Sequence, residues 1–216
     1  MPTKNKPKRQ SKALREPIEI GKIIEAAFVL LNEVGLPNMT TRRLADKLGI
    51  RSASLYWHIR DKDELLQLMA EDICSILSPL DVTLPWKEQI RTFACDYRTT
   101  LLSIRDSAEI LLETPPFTPK RLSLMDGMLH SMSLTQLLKK EALMAAMTIN
   151  DYILGFVKNE IRTIDVSNSG EAMSDEFFHT ISPQQYPNVA LYADSIITLN
   201  NDEHFMFGLN LLLGTL

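Results

Sequence analysis

Apolar residues recur at intervals of three and four along most of this chain, which predicts amphipathic helices. The first such stripe consists of Ile20, Ile23, Ile24, Ala27, Leu31 and Val34. Pro17 suits the first turn of this helix, and Gly35 is placed to end it. No segment alternates apolar and polar residues for long enough to predict a strand. The pattern therefore predicts an all-α protein.

Two short helical patterns meet within residues 40–58, TTRRLADKLGIRSASLYWH. Thr40 suits the N-cap of the first helix, and Gly49 suits the positive φ at which that helix ends. The second helix is predicted to run to His58 with one obvious core residue, Leu55, among small, hydroxylated and aromatic residues. A helix-turn-helix places such a helix in the DNA major groove. The alternative is a buried helical corner with its aromatic side chains in a core.

Further apolar stripes predict helices throughout the remaining chain. The fourth to seventh helices are predicted to begin at or near Asp61, Pro85, Asp106 and Pro119. The eighth is long and ends near Ile164, and polar breaks follow at residues 166–170 and 182–188. The last helix, from about Asp202, is apolar on nearly all sides, so a core on one side and a subunit partner on the other would cover it.

Charge is distributed unevenly, although the net charge is −4. Residues 1–62 contain 13 Lys and Arg against 6 Asp and Glu, a net of +7, whereas residues 63–216 contain 10 against 21, a net of −11. A basic head on an acidic body is typical of a DNA-binding module joined to a body that does not bind DNA. We expect residues 1–16 to form a flexible basic arm. This arm would either enter a DNA groove or remain a solvated tail.

Several classes of protein find little support in the sequence. No apolar run reaches the roughly 18 residues of a membrane span, and no apolar segment follows the basic N-terminus, so we expect a cytoplasmic protein without membrane contact. Two cysteines without metal-binding spacing predict reduced core thiols. The four histidines are scattered, and we predict no catalytic residue, no metal and no cofactor. A helical-bundle enzyme and a ligand-independent architectural DNA-binding protein are the alternative hypotheses.

Residues 31–66, LNEVGLPNMTTRRLADKLGIRSASLYWHIRDKDELL, resemble the DNA-binding domain of the TetR (tetracycline-repressor) family. The likeness continues more weakly at residues 101–116, 154–157 and 205–214. It implies a homodimeric one-component repressor that binds a palindromic double-stranded DNA operator and is released by a small-molecule effector. The expected domains are then a helix-turn-helix domain at residues 17–62 and a helical effector-binding and dimerisation domain at residues 63–216.

Matching the family motif residue by residue implies a set of DNA contacts. The implied residues are Thr40, Thr41, Arg42, Arg43, Ser52, Ala53, Ser54, Tyr56, Trp57, His58 and Lys62. Arg42 is the candidate for reading bases, since a guanidinium pairs bidentately with guanine. Tyr56, His58 and Lys62 are expected to hold phosphates.

The resemblance also implies a ligand site in the body. The expected lining residues are Ser78, Phe93, Tyr97, Leu111, Thr114, Pro115, Asn150 and Asn159. Family members that bind tetracycline hold a magnesium chelate of the drug through polar side chains. This chain has other residues at those positions. Leu111 and Ser78 each replace a His, Pro115 replaces an Arg, Phe93 replaces an Asn and Asn159 replaces a Glu. A Glu does follow directly after Asn159, at Glu160. We therefore expect an effector other than tetracycline.

Overall fold

The computed structural model describes residues 19–168, 177 and 180–216, so the predicted arm at residues 1–16 lies outside the described residues. The helices with described bounds are α1 (Ile20–Val34), α2 (Thr41–Lys47), α3 (Ser52–Leu55), α4 (Lys62–Ser75), α5 (Trp86–Ser103), α6 (Ser107–Glu113), α7 (Pro119–Ser133), α8 (Lys139–Asn168), α9 (Pro187–Leu191), α10 (Ala193–Ile197) and α11 (Asn201–Gly214). A 3₁₀ turn at Leu36–Asn38 connects α1 to α2. The described residues contain no strand, and the predicted all-α class is confirmed.

The head of the molecule consists of α1, α2 and α3 around one apolar core. Ile23, Leu44 and Leu55 are fully buried there, one from each helix. The Thr40 side chain accepts a hydrogen bond from the Arg43 amide at 3.2 Å, which caps the first turn of α2. Gly49 has a φ of +65°, the left-handed conformation expected of a glycine that ends a helix.

Three helices depart from the predicted pattern at their ends. Ile20 in the first turn of α1 and Ile76 after α4 are both exposed, although each fits its apolar stripe. α8 continues to Asn168, so the predicted polar loop at residues 166–170 begins within helix rather than loop. Periodicity identifies the inward face of a helix but does not show where its covering partners end.

The helix α4 connects the head to the body. Its buried residues extend along its whole length, from Leu65 and Leu66 through Met69 to Ile73 and Cys74. It packs against α1 of the head and against α6 and α7 of the body. One continuous apolar core therefore runs through the molecule from the head into the body.

An ion-pair network connects three helices of the body. The Arg98 guanidinium on α5 contacts both carboxylate oxygens of the buried Glu160 on α8, at 2.9 and 2.6 Å. It also pairs with Asp202 on α11 at 2.8 Å and lies over the ring of Phe205 at 5.0 Å. These contacts fix the start of α11 against α5 and α8.

The last helix, α11, has a buried side and an exposed apolar side. Leu209 and Leu213 are buried against the chain's own core, whereas Phe207 is 63% exposed and Leu211 is also exposed. Leu209 and Leu213 therefore belong to the chain's own core, and Phe207 and Leu211 form the exposed apolar side of α11. Every helix in the described part of the chain is too short or too polar to span a bilayer.

The turn between α5 and α6 is bound to the end of α1. The Asp106 carboxylate accepts a hydrogen bond from the Leu36 amide at 2.7 Å, and the Arg105 guanidinium donates to the Asn32 carbonyl at 2.8 Å. Gly35 lies against this turn with φ +72° and ψ 162°. That backbone region is essentially restricted to glycine.

We expect Gly35→Ala to lower the free energy of unfolding by roughly 1–3 kcal/mol because of this backbone conformation. The added Cβ would also lie 2.9 Å from the Arg105 guanidinium. Gly21→Ala is the matched control, since nothing lies within 4 Å of its Cβ position and helical alanine is favoured over glycine by up to about 1 kcal/mol. Urea unfolding measures the free energy of unfolding of both variants, and equal values for the two would contradict the prediction.

Candidate DNA-binding surface and ligand cavity

The helix α3 is held to the head by Leu55 and presents its other side chains outward. Ala53 and Ser54 are exposed and Ser52 is half-buried. The helix spans Ser52–Leu55 only, and residues 56–58 form turns instead of the predicted continuation to His58. Small exposed side chains on such a helix allow its backbone to approach another surface closely.

Aromatic residues extend this outward face beyond the end of α3. Trp57 is 88% exposed, and His58 is also exposed. The hydroxyls of Tyr56 and Thr41 are hydrogen-bonded to each other at 3.2 Å. The alternative of a buried helical corner is therefore wrong, because these aromatic side chains lie outside the core.

Among the described residues, four cations of the head have partners within the protein, one of them Arg60, which pairs with Glu64 at 3.2 Å. Arg43 donates to the Asn38 carbonyl at 3.0 Å, Lys47 pairs with Glu33 at 2.7 Å, and Lys62 donates to the Leu36 carbonyl at 3.3 Å. Their side chains support the turns around α2, and Lys62, one of the predicted phosphate contacts, is half-buried at the first position of α4.

Arg42 and Arg51 differ from these cations. Both are exposed, and neither side chain forms a hydrogen bond or ion pair with any described residue. Arg51 occupies the N-cap position of α3, so its side chain projects from the leading end of the outward helix. Matching of the family motif did not identify Arg51, although its charge and its position before Ser52 are visible in the sequence.

A cavity of about 250 Å³ lies in the body among α4, α5, α6, α7 and α8. Five of the predicted ligand residues line it together: Phe93, Tyr97, Leu111, Thr114 and Asn150. Three do not. Ser78 and Pro115 are exposed outside it, and Asn159 lies in a separate groove with Lys158 and Glu109.

Arg121 on α7 forms part of the cavity wall and was not predicted from the sequence. Its guanidinium donates to the carbonyls of Leu111, Thr114 and Pro115, at 2.9, 3.1 and 3.1 Å, and to the Thr114 hydroxyl at 2.7 Å. These bonds satisfy carbonyl groups at the C-terminal end of α6. Next to it, the Lys120 amide donates to the Glu71 carboxylate on α4 at 2.8 Å.

Burial changes the titration of two groups in the cavity wall. Desolvation raises the pKa of the Cys74 thiol to about 11, so this thiol stays protonated near neutral pH. Desolvation also raises the pKa of Tyr97 well above its usual value, and its hydroxyl remains a hydrogen-bond donor. No group of three or more His, Cys, Asp or Glu side chains among the described residues is arranged to hold a metal ion.

Comparison with protein families identifies both parts of the chain. The model for "Tetracyclin repressor-like, C-terminal domain" matches residues 78–216, and the model for "Bacterial regulatory proteins, tetR family" matches residues 23–69. The chain belongs to the TetR family. Because this family consists of transcriptional regulators, the enzyme hypothesis is excluded.

Individual relatives agree with this assignment. The chain is similar to the class D tetracycline repressor protein of Escherichia coli, at 35% identity over 140 residues, which cover 62% of this chain and 63% of that repressor. The match therefore spans less than two thirds of that relative's length.

Solved TetR-family structures share the fold. The Streptomyces coelicolor protein ActR, crystallised with (S)-DNPA, superposes with a TM-score of 0.80 at 22% identity, covering 92% of this chain and 96% of ActR. BioQ bound to its double-stranded DNA operator superposes with a TM-score of 0.60 at 28% identity, covering 66% of this chain and 87% of BioQ.

We expect Arg51→Ala to reduce discrimination between operator and unrelated DNA. The N-terminal residues of a recognition helix contact base edges, and one bidentate arginine contact contributes about 1–3 kcal/mol of discrimination. Arg162→Ala removes one positive charge from α8 in the body and is the matched control. Binding isotherms at fixed salt measure the ratio of the affinity for operator to the affinity for unrelated DNA. Equal ratios for the two variants would contradict a role for Arg51 in reading bases.

Proposed function

We propose that this protein is a transcriptional repressor that binds a palindromic DNA operator as a homodimer and is released by a small molecule. The outward face of α3 carries the proposal, because Leu55 alone is buried while its neighbours and Trp57 are presented to the outside. The operator complex of BioQ supports DNA as the partner. The proposed repressor acts in the cytoplasm, where an operator is accessible.

The DNA contacts are proposed to divide by function. Arg42 and Arg51, whose guanidinium groups have no partner within the described residues, are available to read base edges. Tyr56, His58 and Lys62 are proposed to contact phosphates and set the register. Ser52, Ala53 and Ser54 allow close approach to the groove floor.

Dimerisation is proposed to use α8 and α11 in a four-helix bundle with their copies. Phe207 and Leu211 on α11 and Met144 on α8 are exposed apolar residues. A two-fold axis would bury such residues and present two copies of α3 to DNA. Palindromic half-sites are read when the two helices fit major grooves about 34 Å apart or a multiple of that distance.

Release is proposed to begin at the cavity. Cys74 on α4 and Leu111 on α6 line it, and the turn that precedes α6 holds the head through Asp106 and the Leu36 amide. A ligand that fits one position of α4 and α6 better than another shifts the population toward it. If this position of α4 and α6 holds the α3 helices of the two subunits at a spacing that does not fit the operator, operator binding weakens.

A ligand-independent architectural protein would need no such cavity, and the cavity therefore favours an effector-controlled regulator. We further propose that the effector is not the magnesium chelate of tetracycline. Leu111 contributes an apolar side chain to the wall, and Pro115 and Asn159 lie outside it. Magnesium requires near-octahedral coordination, chiefly by oxygen, and Leu and Pro side chains supply no ligand.

Two substitutions in the head test DNA binding directly. We expect Lys62→Ala to weaken binding to all DNA sequences and to reduce the slope of log affinity against log salt by about 1. Arg42→Ala should instead relax specificity, at about 1–3 kcal/mol for a lost bidentate base contact. Lys62→Arg retains the charge and is the control. If both alanine variants bind operator as the wild type does, the placement of the helix-turn-helix at residues 40–58 is wrong.

Dimerisation is tested by sedimentation equilibrium at micromolar concentration. The wild type should sediment at twice the 24.5 kDa mass of the chain, and Phe207→Asp should shift it toward the monomer by placing a charge in the interface. Phe117→Asp is the matched control, since Phe117 is 75% exposed between α6 and α7. A monomeric wild type with intact helicity would contradict the proposed dimer.

Calorimetric titration with tetracycline and magnesium tests the proposed difference in effector. We expect no submicromolar binding, because each buried ligand group left without a hydrogen bond costs roughly 1–3 kcal/mol. The class D repressor serves as the positive control under identical conditions. Submicromolar affinity would show that the residues at positions 111, 115 and 159 do not prevent binding of the magnesium chelate of tetracycline.

A further inference from the structure

The cavity wall contains polar groups that have no hydrogen-bond partner in the described part of the chain. Tyr97 is only 5% exposed and lines the cavity, yet its hydroxyl forms no hydrogen bond with any described residue. Asn150 also lines the cavity, half-buried, and its amide has no described partner. Since buried polar groups are nearly always hydrogen-bonded, these two side chains are suited to bind a ligand.

The wall is also positively charged on its α7 side. All four hydrogen bonds of Arg121 go to neutral oxygens, and its guanidinium forms no ion pair with a described carboxylate. Lys120 and Glu71 lie nearby with opposite charges, and Asp151 lies at the exposed rim, where water screens it. Because arginine remains charged in proteins, Arg121 places a positive charge on this side of the cavity without an ion-pair partner among the described residues.

The other side of the cavity is apolar and partly aromatic. The rings of Phe93 and Tyr97 lie with centroids 5.4 Å apart and an interplanar angle of 42°. Leu111, Met128 and Leu154 complete this side. The volume of about 250 Å³ lies just below the roughly 300–1,000 Å³ of typical ligand sites, which suits a compact ring system.

We infer that the effector is a compact, flat aromatic anion whose carboxylate or phenolate oxygen accepts a hydrogen bond from Tyr97 beside Arg121. This inference rests on the proposed function, in which the cavity is the effector site. The protonated Tyr97 hydroxyl can donate a hydrogen bond to an acceptor on the ligand, and the positive charge of Arg121 favours an acceptor that is negatively charged. The neutral Cys74 thiol adds no negative charge that would repel an anion.

Two probes with one ring system test the preference for an anion. Anthracene-9-carboxylate and anthracene-9-methanol are titrated into the full-length protein and followed by their fluorescence. We expect one carboxylate bound per chain, at least tenfold more tightly than the methanol. Tyr97→Phe removes one donor and should weaken carboxylate binding about tenfold but methanol binding only about threefold, because hydrogen bonds to charged groups are the stronger ones.

Two further variants locate the bound probe. Tyr192→Phe removes an exposed phenol hydroxyl outside the cavity and should change neither affinity. Ala146→Trp fills the cavity and should abolish binding of both probes, with helicity checked by circular dichroism. Equal affinity for the two probes, binding of neither, or unchanged carboxylate affinity in Tyr97→Phe would overturn the inference.

Operator binding by the wild type is measured separately from the probe titrations. A protein that binds operator but does not prefer the carboxylate would overturn only the class of effector inferred here. A protein that binds no operator would instead contradict the proposed function, whatever the probes show.

Discussion

The continuous core along α4 is the constraint on which the other features depend. Leu65 and Leu66 belong to the packing of the head, while Ile73 and Cys74 belong to that of the body. A packed core is dense and does not deform gradually. Because one helix serves both parts, a displacement of its body end would change the orientation of the head.

Polar contacts at the two ends of α6 connect the cavity to this helix. Asp106, before α6, holds the head through the Leu36 amide, and Arg121 holds the carbonyls at the other end of α6. The adjacent Lys120 amide binds Glu71 on α4. A ligand that shifts Arg121 would therefore change α6 and α7 together, and α4 contacts both helices.

Local signals in the sequence predicted the caps and the inward faces of the helices well. Thr40 and Gly49 act within a few residues of themselves, and both have the predicted conformation. Arg121 was missed because its carbonyl partners lie on another helix, and no spacing in the sequence indicates such a contact. For the same reason, sequence could not distinguish Arg51, which has no partner among residues 19–168, 177 and 180–216, from Lys47, which is paired with Glu33.

The head separates residues that hold the fold from residues available to select DNA. A four-residue helix such as α3 cannot be stable alone, since helix nucleation is unfavourable, so its position depends on Leu55 in the core of α1 and α2. Ser52, Ala53 and Ser54 contribute little to that core. Substitutions at these three positions can therefore alter the preferred operator with little effect on stability, whereas Phe93, Leu111 and Leu154 line the cavity and are also buried in the core of the body.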